Sequence, residues 1–224
     1  MPEVVVVSGT DTAVGKTWVT ARLAEAMARR GTKVVVRKPV QSFDPADGLT
    51  DAEILATASR DVPASVCPRH RWYETPLAPP MAAEALGKPP IRLRDLVDET
   101  DVPADAITLV EGVGGARSPL AADGDTVALA AALDAGVVLL VAPPGLGAIN
   151  SVRLGASAFA PRPVIVYLNH FAATNETHVR NLEWLTEVDH FAVCSSIDEL
   201  TDKVAARLAT NPSQDQPASA PMEV

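Results

Sequence analysis

The sequence predicts a three-layer α/β/α domain with a mostly parallel central sheet over residues 1–210. Short apolar runs recur without polar alternation, which is typical of strands that are covered on both faces. Helical patterns separate most of these runs, so successive strands need crossover connections and pair in parallel. The chain has 224 residues, of which 47% are hydrophobic, and this suffices for one large domain with a substantial core.

The elements follow in a regular order. The predicted strands cover residues 4–9, 33–40, 106–112, 136–143, 162–169 and, more weakly, 189–194. A helix is expected directly after Gly15, where apolar residues share one face and Gly31 provides a C-cap. Further helices are expected at about 50–59, 79–87, 125–134, 148–158, 175–186 and 197–208. Residues 211–224, rich in Pro, Ser, Ala and Gln, are predicted to be a disordered tail.

Composition limits the possible partners and the compartment. A net charge of -9 argues against nucleic acid or an anionic membrane as a main partner. No apolar run approaches ~18 residues and no basic leader precedes the first strand, so we expect a cytoplasmic protein. Cys67 and Cys194 lie far apart in the sequence and are interpreted as free thiols. The four histidines form no pair at ligand spacing, so none is a catalytic candidate.

The loop after the first strand, SGTDTAVGKT at residues 8–17, is close to a phosphate-binding loop. The strict pattern requires glycine where Thr10 stands, but a strand precedes this loop and a helix follows it, as phosphate binding needs. Gly15 allows backbone N–H groups to converge on an anion, Lys16 can reach outer phosphates, and the Thr17 hydroxyl can ligate Mg²⁺. The predicted nucleotide-binding residues here are Thr12, Ala13, Val14, Gly15, Lys16, Thr17 and Trp18.

Further motifs carry a family resemblance. GTDTAVGKT resembles the loop of dethiobiotin synthetases, members of the P-loop NTPase superfamily in which threonine fills the position of the missing glycine. The similarity continues in order with RKPVQS at 37–42, GLTDAE at 48–53, the proline-rich stretch 71–90, VEGVGGARSPL at 110–120 and GLGAIN at 145–150. It implies a P-loop NTPase fold and a ligase that uses ATP. Such an enzyme carboxylates 7,8-diaminononanoate (7,8-diaminopelargonate) with CO2 and closes the cyclic urea dethiobiotin.

The resemblance also implies roles for individual residues. Lys16, Lys38 and Thr12 would be catalytic, with Lys38 bridging a substrate carbamate and the γ-phosphate of ATP. Mg²⁺ would be bound by Thr17, Asp51 and Glu111. Asp51 is the least secure of these ligands because Asp44, Asp47 and Glu53 lie nearby in the sequence and because a first-turn acid also stabilises a helix.

The substrate and the base are assigned in the same way. The implied substrate-binding residues are Thr12, Lys38, Ser42, Gly114, Gly115, Gly147, Ala148, Ile149 and Asn150. The family supplies the last four from a neighbouring subunit, so the resemblance implies a homodimer with the active site at its interface. Asn169 would contact the nucleotide base.

Two departures and two rival functions stay open. Residues 192–200 contain no proline, whereas the family cradles the base with a proline-containing segment, so the preferred base is not determined. Arg117 stands where an apolar residue is expected. One rival is another small-molecule ligase related to cobyrinate amide synthetases, which normally carry a second, glutamine-hydrolysing domain. The other is a partition-type ATPase switch, which typically has an extra lysine early in the loop; positions 10 and 11 hold none.

Overall fold

The computed structural model describes residues 3–210, so the predicted tail at 211–224 lies outside the described residues. The strands in this range are β1 (Glu3–Gly9), β2 (Val34–Arg37), β3 (Gln41–Ser42), β4 (Trp72–Tyr73), β5 (Ile107–Gly115), β6 (Pro119–Ala121), β7 (Gly124–Asp125), β8 (Val137–Ala142), β9 (Val164–Leu168) and β10 (Ala192–Cys194). Six of them form the central sheet in the order β10-β9-β8-β1-β5-β2, and all neighbours in it are parallel.

The helices connect these strands and cover both faces of the sheet. They are α1 (Lys16–Arg29), α2 (Asp51–Ser59), α3 (Pro63–Val66), α4 (Pro79–Ala85), α5 (Leu93–Glu99), α6 (Thr126–Ala132), α7 (Ala148–Ala158), α8 (Glu176–Glu183) and α9 (Ile197–Ala209). A π-helical turn, Trp184–Val188, follows α8. No helix in residues 3–210 is long and apolar enough to cross a membrane.

The run of valines in β1 shows why three layers form. Side chains alternate along a strand, so Val5 and Val7 join a core with α1, α2 and α9. Val4 and Val6 point to the other face, where they pack with α4, α5 and α6. Because both faces are covered by helices, every position of the strand can be apolar. The predicted α/β/α fold with a parallel sheet is confirmed.

Each predicted strand and helix has a counterpart, but some short elements were not predicted. These are α3, α5 and the small strand pairs β3–β4 and β6–β7. The pairs have only two or three residues per strand and no periodic pattern. β3 and β4 bring the segment after β2 against residues 72–73, and this contact encloses one side of the space above the sheet.

Candidate active site

The loop between β1 and α1 turns into the helix through a left-handed backbone conformation at Gly15, as the sequence predicted. Gly15 has φ 92°, and a Cβ there would lie 2.1 Å from the Asn169 side-chain nitrogen. Only glycine therefore fits at this position. Asn169 follows β9, and its Nδ2 donates a hydrogen bond of 2.9 Å to the Val14 carbonyl. Asn169 thus holds the loop from the end of β9, two strands away from β1 in the sheet.

Lys16 lies under this loop. Its Nζ donates to the Asp11 carbonyl oxygen at 3.0 Å, and its side chain is buried. Burial lowers the pKa of Lys16 to about 8, while Glu111 acts to raise that pKa. Within residues 3–210 its ammonium makes no ion pair with a carboxylate within 4.0 Å. A poorly solvated ammonium in the first turn of a helix is suited to an anionic ligand.

Three predicted metal ligands come together although they are far apart in the sequence. The Thr17 hydroxyl lies 2.8 Å from Asp51 Oδ1 and 2.8 Å from Glu111 Oε1. Glu111 is fully buried in the middle of β5, and Asp51 begins α2. Asp51 is therefore the acid of its segment that contacts Thr17. Asp47, its rival, lines the nearby cavity but makes no hydrogen bond with Thr17.

The same two acids surround Lys38. Its Nζ lies 2.8 Å from Asp51 Oδ2 and 2.7 Å from Glu111 Oε1, and only 3% of its side chain is exposed. Burial by itself would lower the pKa of Lys38, but the two carboxylates raise that pKa above its usual value. In return, although burial acts to raise the pKa of Asp51, Lys38 and Thr17 hold that pKa below its usual value.

This donor set fits Mg²⁺. A hydroxyl and two carboxylates are hard oxygen ligands of the kind that Mg²⁺ prefers. Glu111 Oε2 is buried and has no hydrogen-bond partner within the described residues. An unsatisfied buried carboxylate oxygen is costly, and a cation at this place would satisfy it.

A cavity of about 610 Å³ opens above these groups, at the carboxyl ends of the strands. The predicted site residues that line it are Thr12, Ala13, Gly15, Lys16, Thr17, Lys38, Ser42, Asp51 and Gly114. Its volume lies within the ~300–1,000 Å³ usual for small-molecule sites. A groove of about 760 Å³ lies elsewhere, lined by residues of α7, α9 and β10, and contains none of the predicted site residues.

Some predicted residues lie outside the cavity. Gly115 is one, and its N–H donates to Ser118 Oγ at 2.9 Å. The segment Gly147–Asn150 does not line the cavity of its own chain. Gly147 has φ 87°, and α7 begins after it without a side-chain cap. Leu146, next to it, is 95% exposed.

Trp18 and Arg117 lie at the protein surface. Trp18, one of the predicted nucleotide-binding residues, does not line the cavity and is half-exposed with the Arg22 guanidinium 5.8 Å from its ring, because position 18 lies on the outer face of α1. Arg117 is exposed and pairs with Asp125 at 3.1 Å, which explains a charge where an apolar residue was expected.

Sequence reasoning missed residues that position the site. Gln41 Oε1 accepts a hydrogen bond from the Ala52 N–H at 3.0 Å and so fixes the start of α2 beside Asp51. Asn181 Nδ2 donates to the carbonyls of Pro144 and Gly145, both at 2.8 Å, and anchors the loop that leads to α7. Lone amide side chains give no periodic signal, so neither role could be predicted from the sequence.

The chain is similar to known proteins over most of its length. A family profile described as an AAA domain matches residues 3–204. The ATP-dependent dethiobiotin synthetase BioD of Corynebacterium efficiens is 43% identical over 157 residues, which cover 68% of this chain and 67% of that protein. This chain belongs to the dethiobiotin synthetase family. A dethiobiotin synthetase from Haloferax mediterranei is 38% identical over 191 residues, covering 80% of this chain and 78% of that protein. The family resemblance predicted from the motifs is confirmed.

Solved structures support the fold of this dethiobiotin synthetase family member. A plasmid partition protein from Borrelia burgdorferi, bound to AMPPNP, has a TM-score of 0.53 and 14% identity, covering 93% of this chain and 98% of that one. The pNOB8 ParA protein, bound to nonspecific DNA, also has a TM-score of 0.53 and 14% identity, covering 96% of this chain and 100% of that one. At such low identity the likeness concerns the fold alone.

Proposed function

We propose that this protein is an ATP-dependent dethiobiotin synthetase. It carboxylates 7,8-diaminononanoate with CO2 and closes the product dethiobiotin, releasing ADP and phosphate, in biotin biosynthesis. The observation that carries the proposal is the convergence of Lys16, Lys38, Thr17 and two acids at one cavity in a chain of this family. A partition-type switch would not need a second buried lysine beside those acids.

The proposed reaction forms anionic carbamate and phosphate oxygens, which Lys16 and Lys38 are suited to bind. One substrate amine captures CO2 as a carbamate and loses a proton. A carbamate oxygen takes the γ-phosphoryl group of ATP, ADP leaves, and the second amine displaces phosphate as it closes the ring. Charge develops on the transferring oxygens, so positioning and electrostatic stabilisation dominate the catalysis.

The chain's own residues divide this work. The loop N–H groups and Lys16 hold the phosphates, and Lys38 serves the carbamate and the γ-phosphate from the other side of the cavity. Thr12, Ser42 and Gly114 line that cavity and bind the diamine. Thr17, Asp51 and Glu111 would hold Mg²⁺, which when bound would neutralise phosphate charge.

Asn169 supports ATP as the nucleotide. One N–H of its Nδ2 donates to the Val14 carbonyl, which leaves the second N–H and the side-chain oxygen to meet a base. An amide therefore offers a base one donor and one acceptor. Adenine presents the complementary pair, an amino group that donates next to a ring nitrogen that accepts.

A second subunit completes the site. The Ala148 N–H donates to the Gly145 carbonyl, but the N–H groups of Ile149 and Asn150 in the first turn of α7 have no side-chain cap and are placed to bind the substrate carboxylate. They do not line the cavity of their own chain, and the exposed Leu146 and Leu154 on the same segment are suited to burial in an interface. Gly147, Ala148, Ile149 and Asn150 are thus proposed to serve the partner's site in a homodimer.

Product formation tests the reaction. The protein is incubated with 7,8-diaminononanoate, bicarbonate, Mg²⁺ and one nucleoside triphosphate at a time, and dethiobiotin is measured by mass spectrometry. ATP should support product formation. If no nucleotide gives dethiobiotin, the proposed function is wrong.

Mixing variants tests the shared site. Lys16→Met and Asn150→Ala each damage one component of the site, and a mixed dimer places both lesions in one site and none in the other. Activity should rise well above that of either variant alone. If native mass spectrometry shows subunit exchange and no activity returns, Asn150 does not serve the partner.

A further inference from the structure

The Lys38 ammonium is held by groups of the protein. Its Nζ donates to Glu111 Oε1 at 2.7 Å, makes a longer contact of 3.4 Å with the Gly112 carbonyl, and forms an ion pair with Asp51 Oδ2 at 2.8 Å. Both carboxylates therefore draw the ammonium toward the metal ligands, although its side chain lines the cavity. In this arrangement its charge is balanced within the protein and is not free for a carbamate or a phosphate.

The acids that bind Lys38 are the acids that contact Thr17. Glu111 Oε1 lies within hydrogen-bonding distance of both Lys38 Nζ and Thr17 Oγ1. A divalent cation bound by Thr17, Asp51 and Glu111 would need the same carboxylate groups as the ammonium. Two cations that share these groups would repel each other strongly, because little water is present to screen them.

We propose that Lys38 acts as a mobile counter-ion: its ammonium neutralises Asp51 and Glu111 until a divalent cation takes them, and then turns to the substrate's anionic oxygens. This inference rests on the proposed function, which supplies the metal and substrate assignments.

Charge balance gives the reason for the exchange. Asp51 and Glu111 together carry two negative charges, of which the ammonium balances one. A divalent cation balances both, so the positive charge of Lys38 becomes available for the cavity. The reach of Lys38 toward the substrate then depends on the metal. Lys16 differs, because its Nζ contacts the Asp11 carbonyl and neither carboxylate.

Direct metal binding tests the competition without any measurement of activity. Mn²⁺ binding to nucleotide-free protein is followed by the EPR signal of unbound Mn²⁺ for wild type, Lys38→Met and Lys16→Met. Each variant removes one nearby positive charge, but only Lys38→Met removes the competitor. We expect Lys38→Met to bind Mn²⁺ at least about tenfold more tightly than Lys16→Met does.

A second measurement uses the wild-type protein, so it does not depend on the folding of Lys38→Met. Lysines are acetylated with acetic anhydride in the presence of Mg²⁺ or of a chelator, and modified peptides are quantified by mass spectrometry. Mg²⁺ should increase the labelling of Lys38 and leave that of the exposed Lys33 unchanged.

The outcomes separate two kinds of failure. If both variants bind Mn²⁺ equally well and Mg²⁺ leaves Lys38 labelling unchanged, Lys38 is a fixed structural counter-ion and the inference is overturned. If wild type binds no Mn²⁺ and Glu111→Gln gives the same EPR titration, the proposed metal site itself is wrong, and the inference is rejected with it.

Discussion

The substitution Glu111→Gln removes the charge of the buried acid and keeps the size and shape of its side chain. Glutamine keeps an oxygen that can accept hydrogen bonds from Thr17 and Lys38, which lie 2.8 and 2.7 Å from Glu111 Oε1. It removes the negative charge from a fully buried position. Lys38 then keeps a single carboxylate partner, Asp51.

The magnitude follows from burial. Removal of one partner of a buried ion pair costs about 3–5 kcal/mol, because the other charge stays buried and loses its compensation. Lys38 still lies 2.8 Å from Asp51, so we expect the lower end of that range. A loss of about 3 kcal/mol in a chain of this length lowers Tm by roughly 6–12 °C.

The assay is differential scanning calorimetry in a chelator, with all proteins at one concentration. Asp105→Asn is the matched control, because it also replaces a lysine's carboxylate partner by an amide. The Lys33–Asp105 pair differs in being at the surface, where the Asp105 side chain is 71% exposed. Exposed pairs contribute little to stability, so this variant should melt much closer to wild type than Glu111→Gln does. Equal melting temperatures for Glu111→Gln and Asp105→Asn would refute the argument that burial sets the strength of the Lys38–Glu111 pair.

Three further predictions concern the loop, its clamp and the metal. Lys16→Met should reduce kcat by about 10²–10³ with an unchanged Tm, and nearly full activity would contradict its phosphate role. Asn169→Leu loses the hydrogen bond to Val14 and should raise the Kd for ATP by roughly fivefold to tenfold, measured by calorimetry, since such a bond is worth about 1 kcal/mol; an unchanged Kd would mean that the loop keeps its shape alone. Asp51→Asn should raise the Mg²⁺ concentration for half-maximal rate and Asp47→Asn should not; the reverse result would move the ligand to Asp47.

Local patterns in the sequence predicted most of the fold and the order of the site residues. The valine run of β1 requires apolar cover on both sides, and the helical pattern after Gly15 places a loop at the carboxyl end of that strand. A strand that is covered on both faces and a helix that follows a loop depend on residues close together in the sequence, so short sequence patterns predict them. The short strands and the amide side chains of Gln41 and Asn181 have no such pattern, because tertiary contacts alone place them.

Sequence patterns alone were enough to predict the layered fold, the phosphate-type loop and the residues that make up the site. The tertiary structure decided which of them meet: Thr17 with Asp51, 34 positions away; Lys38 with Glu111, 73 positions away; and Val14 with Asn169, 155 positions away. Each contact depends on how parallel strands and their helices align at one edge of the sheet. Sequence distance carries no information about that alignment, which is set by packing between the layers.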